Sequence, residues 1–318
     1  MALTKHPIAD LIARRGGLVI DGAMSTPLEA AGLNLNDTLW SAKALLECPD
    51  LVRKVHYDYY AAGANAVEAC SYQATEAAFA RKGIEKAEAS RLIRLSGELV
   101  REAKNDVLLE HPEWDPADLL TAGSIGPYGA YLADGSEYTG AYDLTREEYY
   151  AFHQLRLDEL LNSGMDILAI ETQPRFDEIE ALLAMIADRD ITCWVTVTLK
   201  DGDMPDGTKL EVLAKCLDAD PHVEAFGFNC IKREWVAPGL KRLSAYTDKP
   251  LVVYPNSGET YDPTTKTWHA QGVHEPDWNH YVPLWEHTGA RCIGGCCRTL
   301  PKDIVQIADL VHRAAEKH

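Results

Sequence analysis

The chain has 318 residues, 46% apolar and 25% charged, an ordinary globular composition that excludes disordered, collagen-like and low-complexity classes. Asp and Glu number 49 against 31 Lys and Arg, and the net charge of −18 argues against nucleic-acid and membrane partners, whose phosphates it would repel. No run approaches the ~18 apolar residues that span a bilayer. The start, with Lys5, His6, Arg14 and Arg15, lacks the apolar core and cleavage site of a secretory signal, so a soluble cytoplasmic protein is expected. Eight cysteines fit a reducing compartment, where a chain of this length buries a core without disulfides.

Eight short apolar runs follow one another along the chain: 17–23, 65–72, 119–126, 166–172, 193–199, 225–230, 250–256 and 290–297. They are continuous rather than alternating, the pattern of strands buried on both faces of a parallel sheet. Helical periodicity fills the gaps at 51–63, 76–109, 176–186, 235–243, 278–285 and 300–315. Two further helices open on capping-box pairs, Thr145 with Glu148 and Thr208 with Glu211. This alternation predicts one (β/α)₈ TIM-type barrel domain over residues 1–318. A doubly wound open sheet is the alternative, disfavoured because no strand runs into G-x-G-x-x-G and no Walker A sequence occurs.

Two connections, 127–144 and 257–274, are longer than a barrel turn needs. Both follow a strand, so both are expected to be lids on the C-terminal face. The first holds Tyr128, Tyr131, Tyr138 and Tyr142.

A barrel keeps its chemistry at the strand ends. Those ends carry Asp21, Ser71 to Gln73, Glu171 with Thr172, Asn229 with Cys230, Asn256, and the run Gly294, Gly295, Cys296, Cys297. Three thiols on one mouth suit Zn2+, with a fourth position left open for catalysis; three free core cysteines are the alternative. Vicinal cysteines on a regular strand face opposite ways, so Gly294 and Gly295 are expected to free the backbone and let both sulfurs turn inward. Cys292, like Cys48, Cys70, Cys193 and Cys216, reads as inert packing. Asp21 and Glu171 read as a turn residue and an internal ion-pair partner, or together as a receptor for an ammonium group. The eleven histidines show no H-E-x-x-H spacing.

With these residues in view, the chain resembles the homocysteine S-methyltransferase family, especially its S-methylmethionine-dependent members. The matching segments are DGAMSTPLEAAGLNLNDTLWSAKALL from Asp21, SYQAT from Ser71, GSIGPYGAYLADGSEY from Gly123 and ET at Glu171. They continue with GFNC from Gly227, VVYPNSGETYD from Val252, KTWH from Lys266 and GGCCRTLP from Gly294. Phe228 and Leu300 depart from the family pattern without touching an expected ligand. The resemblance implies a zinc site on Cys230, Cys296 and Cys297, with homocysteine sulfur at the open position. It implies Asp21 and Glu171 at the substrate amine, Asn229 beside the first zinc ligand and orienting it, Asn229 and Ser71 among the substrate-binding residues, and a sulfonium methyl donor. Such a donor leaves as a neutral thioether and needs no general acid. The lids, with Trp268, Glu259 and the tyrosines, are expected to face the donor. S-methylmethionine is expected over S-adenosylmethionine, for which no nucleotide motif is visible. The alternatives are a selenohomocysteine acceptor, a betaine-type donor, and a zinc-binding barrel without catalysis; oligomeric state stays open.

Overall fold

The structure, a computed structural model, describes residues 6–35, 39–258, 260–262, 267–269 and 277–315. Eight strands occupy the expected runs: β1 (Leu18–Val19), β2 (Ala66–Glu68), β3 (Leu120–Ile125), β4 (Ile167–Gln173), β5 (Cys193–Val197), β6 (Val223–Asn229), β7 (Leu251–Tyr254) and, after a hairpin of β8 (Thr260–Asp262) and β9 (Thr267–His269), β10 (Ala290–Ile293). They lie in the order β1-β10-β7-β6-β5-β4-β3-β2, every neighbouring pair parallel. A single parallel bridge, Ile20 to Ala66, joins the two ends and brings β1 beside β2. The expected TIM-type barrel is therefore the fold.

Strand alternation sorts the apolar side chains into two cores. One set, including Leu18, Ala66, Leu120, Ile167, Trp194 and Val252, fills the barrel interior, where alanines leave room for the Trp194 indole. The other packs outward against the surrounding helices. Helix Pro7–Arg15 sends Ile8 and Leu11 into the interior set. Its first amides, Ile8 N–H and Ala9 N–H, donate to Glu224 Oε2 at 3.0 and 3.1 Å, so a β6 carboxylate caps a helix that has no cap of its own. Cys292, 1% exposed, belongs to the same interior set and is packing, as expected.

Local signals mostly hold. The Thr145–Glu148 capping box opens helix Arg146–Asn162, and helix Phe176–Ile186 has its expected bounds. The 76–109 pattern divides at Gly83, whose φ of +75° ends one helix, Glu76–Ala80, before another, Lys86–Glu110, begins. The Thr208–Glu211 box does not form. Asp203 Oδ1 accepts from Leu210 N–H at 3.4 Å at that helix start, and Glu211 instead accepts from Arg242. A tertiary partner of opposite charge outcompetes the local cap.

Candidate active site

Strand β4 carries Glu171 and Thr172 just before its last residue, and β6 ends on Asn229, followed by Cys230. Thr172 and Cys230 sit at φ of +55° and +52°, a left-handed conformation that costs a non-glycine residue about 1–2 kcal/mol. Asn229, fully buried, holds the first of these kinks. Its Oδ1 accepts from Thr172 N–H at 2.8 Å, and its Nδ2 donates to Thr172 Oγ1 at 2.7 Å and to Glu171 Oε2 at 3.2 Å. Ser124 Oγ, from β3, donates to the other oxygen of Glu171. Asn229, expected beside the first zinc ligand and among the substrate-binding residues, stands behind Glu171 and fixes its carboxylate, with Nδ2 4.0 Å from Cys296 Sγ. Ser71 is also displaced from its expected role: it is wholly buried, its hydroxyl donates to Ser124 O at 2.8 Å, and it does not line the cavity.

After β10 the chain turns sharply through Gly294 to Arg298. A Cβ on Gly294 would lie 2.6 Å from Ile20 O, and one on Gly295 2.4 Å from Thr299 Oγ1. Gly294 therefore serves the close approach of the β1 backbone and Gly295 that of the Thr299 side chain; the left-handed residue of the turn is Arg298, at φ +69°. Cys296 N–H donates to Pro255 O at 2.9 Å and Ser257 N–H to Cys297 O at 3.1 Å, which lays both vicinal thiols against the end of β7. The sulfurs of Cys230, Cys296 and Cys297 all lie within 4.8 Å of one another, with Cys230 and Cys297 at 3.6 Å. Hydrogen bonds from the two neighbouring thiols, then from Tyr138 and Asn256, hold Cys230 well below the usual thiol range against the opposing effect of burial. The contact with Cys230, reinforced by burial, pushes Cys296 and Cys297 up. Three convergent sulfurs, one of them favoured toward the thiolate by its neighbours, form a soft donor set that fits a metal preferring sulfur.

The thiols open into a cavity of about 1170 Å³, counted with its open mouth. Its lining brings together Asp21 and Glu171, as expected, and adds two carboxylates that strand-end reading missed, Glu68 at the end of β2 and Glu137 in the first lid. Among the described lining residues there is no Lys, Arg or His. Burial, reinforced for the first two by like charge, pushes Asp21 and Glu68 well above the usual carboxylate range. Burial also brings Glu171 and Glu137 to about 7. Such a cavity attracts cations and lacks the imidazole that general acid–base work most often uses.

The 127–144 lid folds into two short helices, Tyr128–Leu132 and Ser136–Thr139. Of its four tyrosines only Tyr138 lines the cavity. Tyr128, Tyr131 and Tyr142 pack outside it, around Phe152 and one another. Both ends of the lid are tied to a buried charge relay. Glu178, 0% exposed, accepts from Tyr128 N–H and Tyr142 Oη at 2.6 Å each, and faces His153 Nε2 at 2.8 Å. His153 Nδ1 faces a guanidinium nitrogen of Arg156 at 2.7 Å, and Arg156 in turn donates to Tyr72 O and Gly126 O at 2.5 and 2.6 Å. Arg156 has only donors, so the imidazole is neutral, with its proton on Nε2. Burial accordingly lowers the His153 pKa. Within the second lid, Glu259 and the Trp268 side chain lie outside the described residues.

Strand ends of a parallel barrel, three convergent thiols and an acidic cavity define a (β/α)₈-barrel enzyme. The family model described as "Homocysteine S-methyltransferase" matches residues 18–311. A homocysteine S-methyltransferase of Escherichia coli is 49% identical, over 95% of this chain and 97% of that protein. A selenocysteine methyltransferase of Astragalus bisulcatus is 39% identical, over 93% of each. The crystal structure of the metallated form of the E. coli homocysteine methyltransferase MmuM superposes with a TM-score of 0.86 at 46% identity, covering 96% of this chain and 99% of that one. The chain belongs to the homocysteine S-methyltransferase family and is a transferase.

Proposed function

We propose that this protein moves a methyl group from S-methylmethionine to homocysteine, giving methionine, with zinc held by Cys230, Cys296 and Cys297. The observation that carries the reading is the joining of three sulfurs within 4.8 Å to a cavity whose described lining holds four carboxylates and no basic side chain. Both substrates are amino acids bearing an ammonium, and the donor adds a sulfonium; such ligands suit a cation-attracting cavity. Zinc, when bound, supplies the Lewis acidity that keeps an acceptor thiol, of ordinary pKa ~8.5, ionised at neutral pH.

The remaining steps belong to the chain. Asp21 and Glu171 receive the acceptor's ammonium and so fix the direction from which its sulfur approaches. Ser124 and Asn229 hold Glu171 in place for that contact. Tyr138 Oη donates toward Cys230 Sγ and closes the lid over the sulfurs. The acceptor sulfur attacks the donor's methyl carbon in line. A sulfur–carbon bond forms, the carbon–sulfonium bond breaks, and its electron pair stays on a neutral thioether. That leaving group takes no proton, in keeping with the absence of Lys, Arg and His from the described lining. The acceptor's thiol proton goes to solvent on binding. Glu137, in the lid, offers the donor's charge a carboxylate. Its tendency toward protonation moderates the ground-state attraction that a fixed anion would exert on a sulfonium.

The deciding experiment is a competition between S-methylmethionine and S-adenosylmethionine at equal concentration, each with a differently labelled methyl group and homocysteine as acceptor. Methionine labelled mainly from S-methylmethionine is expected. Labelling from S-adenosylmethionine, or only from a betaine-type donor added in a third arm, overturns the donor assignment. The Astragalus relative's name makes a selenol the second acceptor to include. We place the reaction in the cytoplasm, where eight free cysteines stay reduced. Among the described residues no helix is long and apolar enough to cross a membrane.

A further inference from the structure

Three carboxylates, rather than two, meet where the barrel closes. β1 and β2 come together there, and Glu68 N–H donates to Asp21 Oδ2 at 3.1 Å. The Tyr254 hydroxyl, which accepts from Trp194 Nε1 at 3.0 Å and pairs with Thr196 Oγ1 at 2.8 Å, faces both Glu68 and Glu171 and can donate its single proton to one of them. The three groups are thus linked through protein atoms around one corner of the cavity. Glu171 has partners on both oxygens, from Ser124 and Asn229. Asp21 Oδ1 and Glu68 Oε1 have none among the described residues, although both atoms are buried and Asp21 is only 3% exposed. Buried acceptors are nearly always paired, and an unpaired one beside a like charge destabilises the chain unless a ligand completes it. The ligand that fits adjacent empty acceptors with no basic neighbour is a cation carrying several hydrogens. A primary ammonium has three N–H donors, one for each carboxylate.

We propose that Glu68 is a third recognition residue for the acceptor's ammonium, completing with Asp21 and Glu171 a cradle of three acceptors that selects a primary α-ammonium. The proposal rests on the reading that the acceptor is an amino-acid thiol held by Asp21 and Glu171. It goes further by assigning a specificity role to a residue in the middle of an apolar strand run. Replacing one N–H by N-methyl leaves a carboxylate unmatched, and removing the amine leaves all three unmatched.

The test uses the metal-loaded enzyme with saturating S-methylmethionine and three acceptors: homocysteine, N-methylhomocysteine and 4-mercaptobutyrate, the amine-free analogue. Glu68→Gln is expected to raise the homocysteine KM about tenfold with kcat within about twofold. It should leave kcat/KM for 4-mercaptobutyrate unchanged and shrink the preference for homocysteine over N-methylhomocysteine. The ligand-free variant should also melt a few degrees higher than the wild type, because a buried like charge is gone. A residue serving only the fold would melt lower and lose both thiols alike. An equal loss on homocysteine and 4-mercaptobutyrate, or full retention of wild-type selectivity, overturns the proposal. Glu68→Ala, read by the same ratios, decides the matter if the glutamine variant fails to fold. Wild-type enzyme that takes 4-mercaptobutyrate as well as homocysteine would instead refute the underlying acceptor reading, a result visible before any variant is made.

Discussion

The Tyr138 hydroxyl lies 3.2 Å from Cys230 Sγ, so the first lid is bonded directly to the sulfur that ends β6. This contact joins the helical lid to the chemical centre. Tyr138→Phe removes the donor while keeping the ring. Hydrogen bonds to charged groups contribute about 1.5–3 kcal/mol. The variant is expected to keep its metal content and lose at least about tenfold in kcat/KM, measured by metal analysis alongside initial rates. Unchanged rates would make the tyrosine lid packing and nothing more.

Metal content should track three cysteines and ignore a fourth. Cys230→Ser, Cys296→Ser and Cys297→Ser are each expected to lose most bound zinc and nearly all turnover, since three protein ligands leave no redundancy. Cys292→Ala should retain both, because Cys292 packs inside the barrel with Trp194 and Tyr254. Its cost is a small cavity, read as a lower Tm. Full zinc and full turnover in Cys296→Ser would dismantle the site assignment.

Glu178 should matter to the lid more than its distance from the thiols suggests. It anchors Tyr128 N–H and Tyr142 Oη and, through His153, balances the buried Arg156 charge. Glu178→Gln leaves that guanidinium uncompensated, and breaking a buried charge pair in this way costs about 3–5 kcal/mol. Denaturant unfolding should show the loss. Limited proteolysis should cut between residues 133 and 143 faster than in the wild type; identical cleavage rates would mean that the relay does not hold the lid.

His56 gives the fold a one-sided pH dependence. It lies in helix Pro49–Ala61, fully buried, and neither ring nitrogen has a hydrogen-bond partner. Burial alone lowers its pKa to about 3. Between about pH 6.5 and 3 the unfolded chain therefore binds a proton that the folded chain refuses. Stability from this group is complete above pH 6.5 and falls as pH drops, by about 1.4 kcal/mol per unit. Glu171 and Glu137, raised to about 7, act in the opposite sense over an overlapping range, since the unfolded chain releases their protons first as pH rises. The difference between two proteins isolates His56. His56→Leu should gain on the wild type as pH falls from 7 to 5, in paired urea titrations; parallel curves would show that the histidine is protonated in the folded state.

Sequence alone determined the barrel, because that fold repeats one local unit: an apolar run that cannot face water, then an amphipathic helix that covers it. It determined the three thiols and two of the carboxylates for a related reason, since parallel strands all finish on one face and whatever ends them must converge. Glu68 escaped because a carboxylate inside an apolar run reads as a strand residue until the closing Ile20–Ala66 bridge brings it beside Asp21. Glu137 and Tyr138 escaped because nothing local distinguishes one acid or one of four tyrosines in a loop; packing around Phe152 turns the other three away. The same limit undid the Thr208 cap, lost to Asp203 and Arg242, and hid the protein partners of Ser71 and Asn229, Ser124 O and Glu171. Periodicity is a local property and survives in one dimension. Which of several equivalent polar groups meets the cavity depends on pairings between residues 47 to 58 positions apart, and only the folded chain makes those.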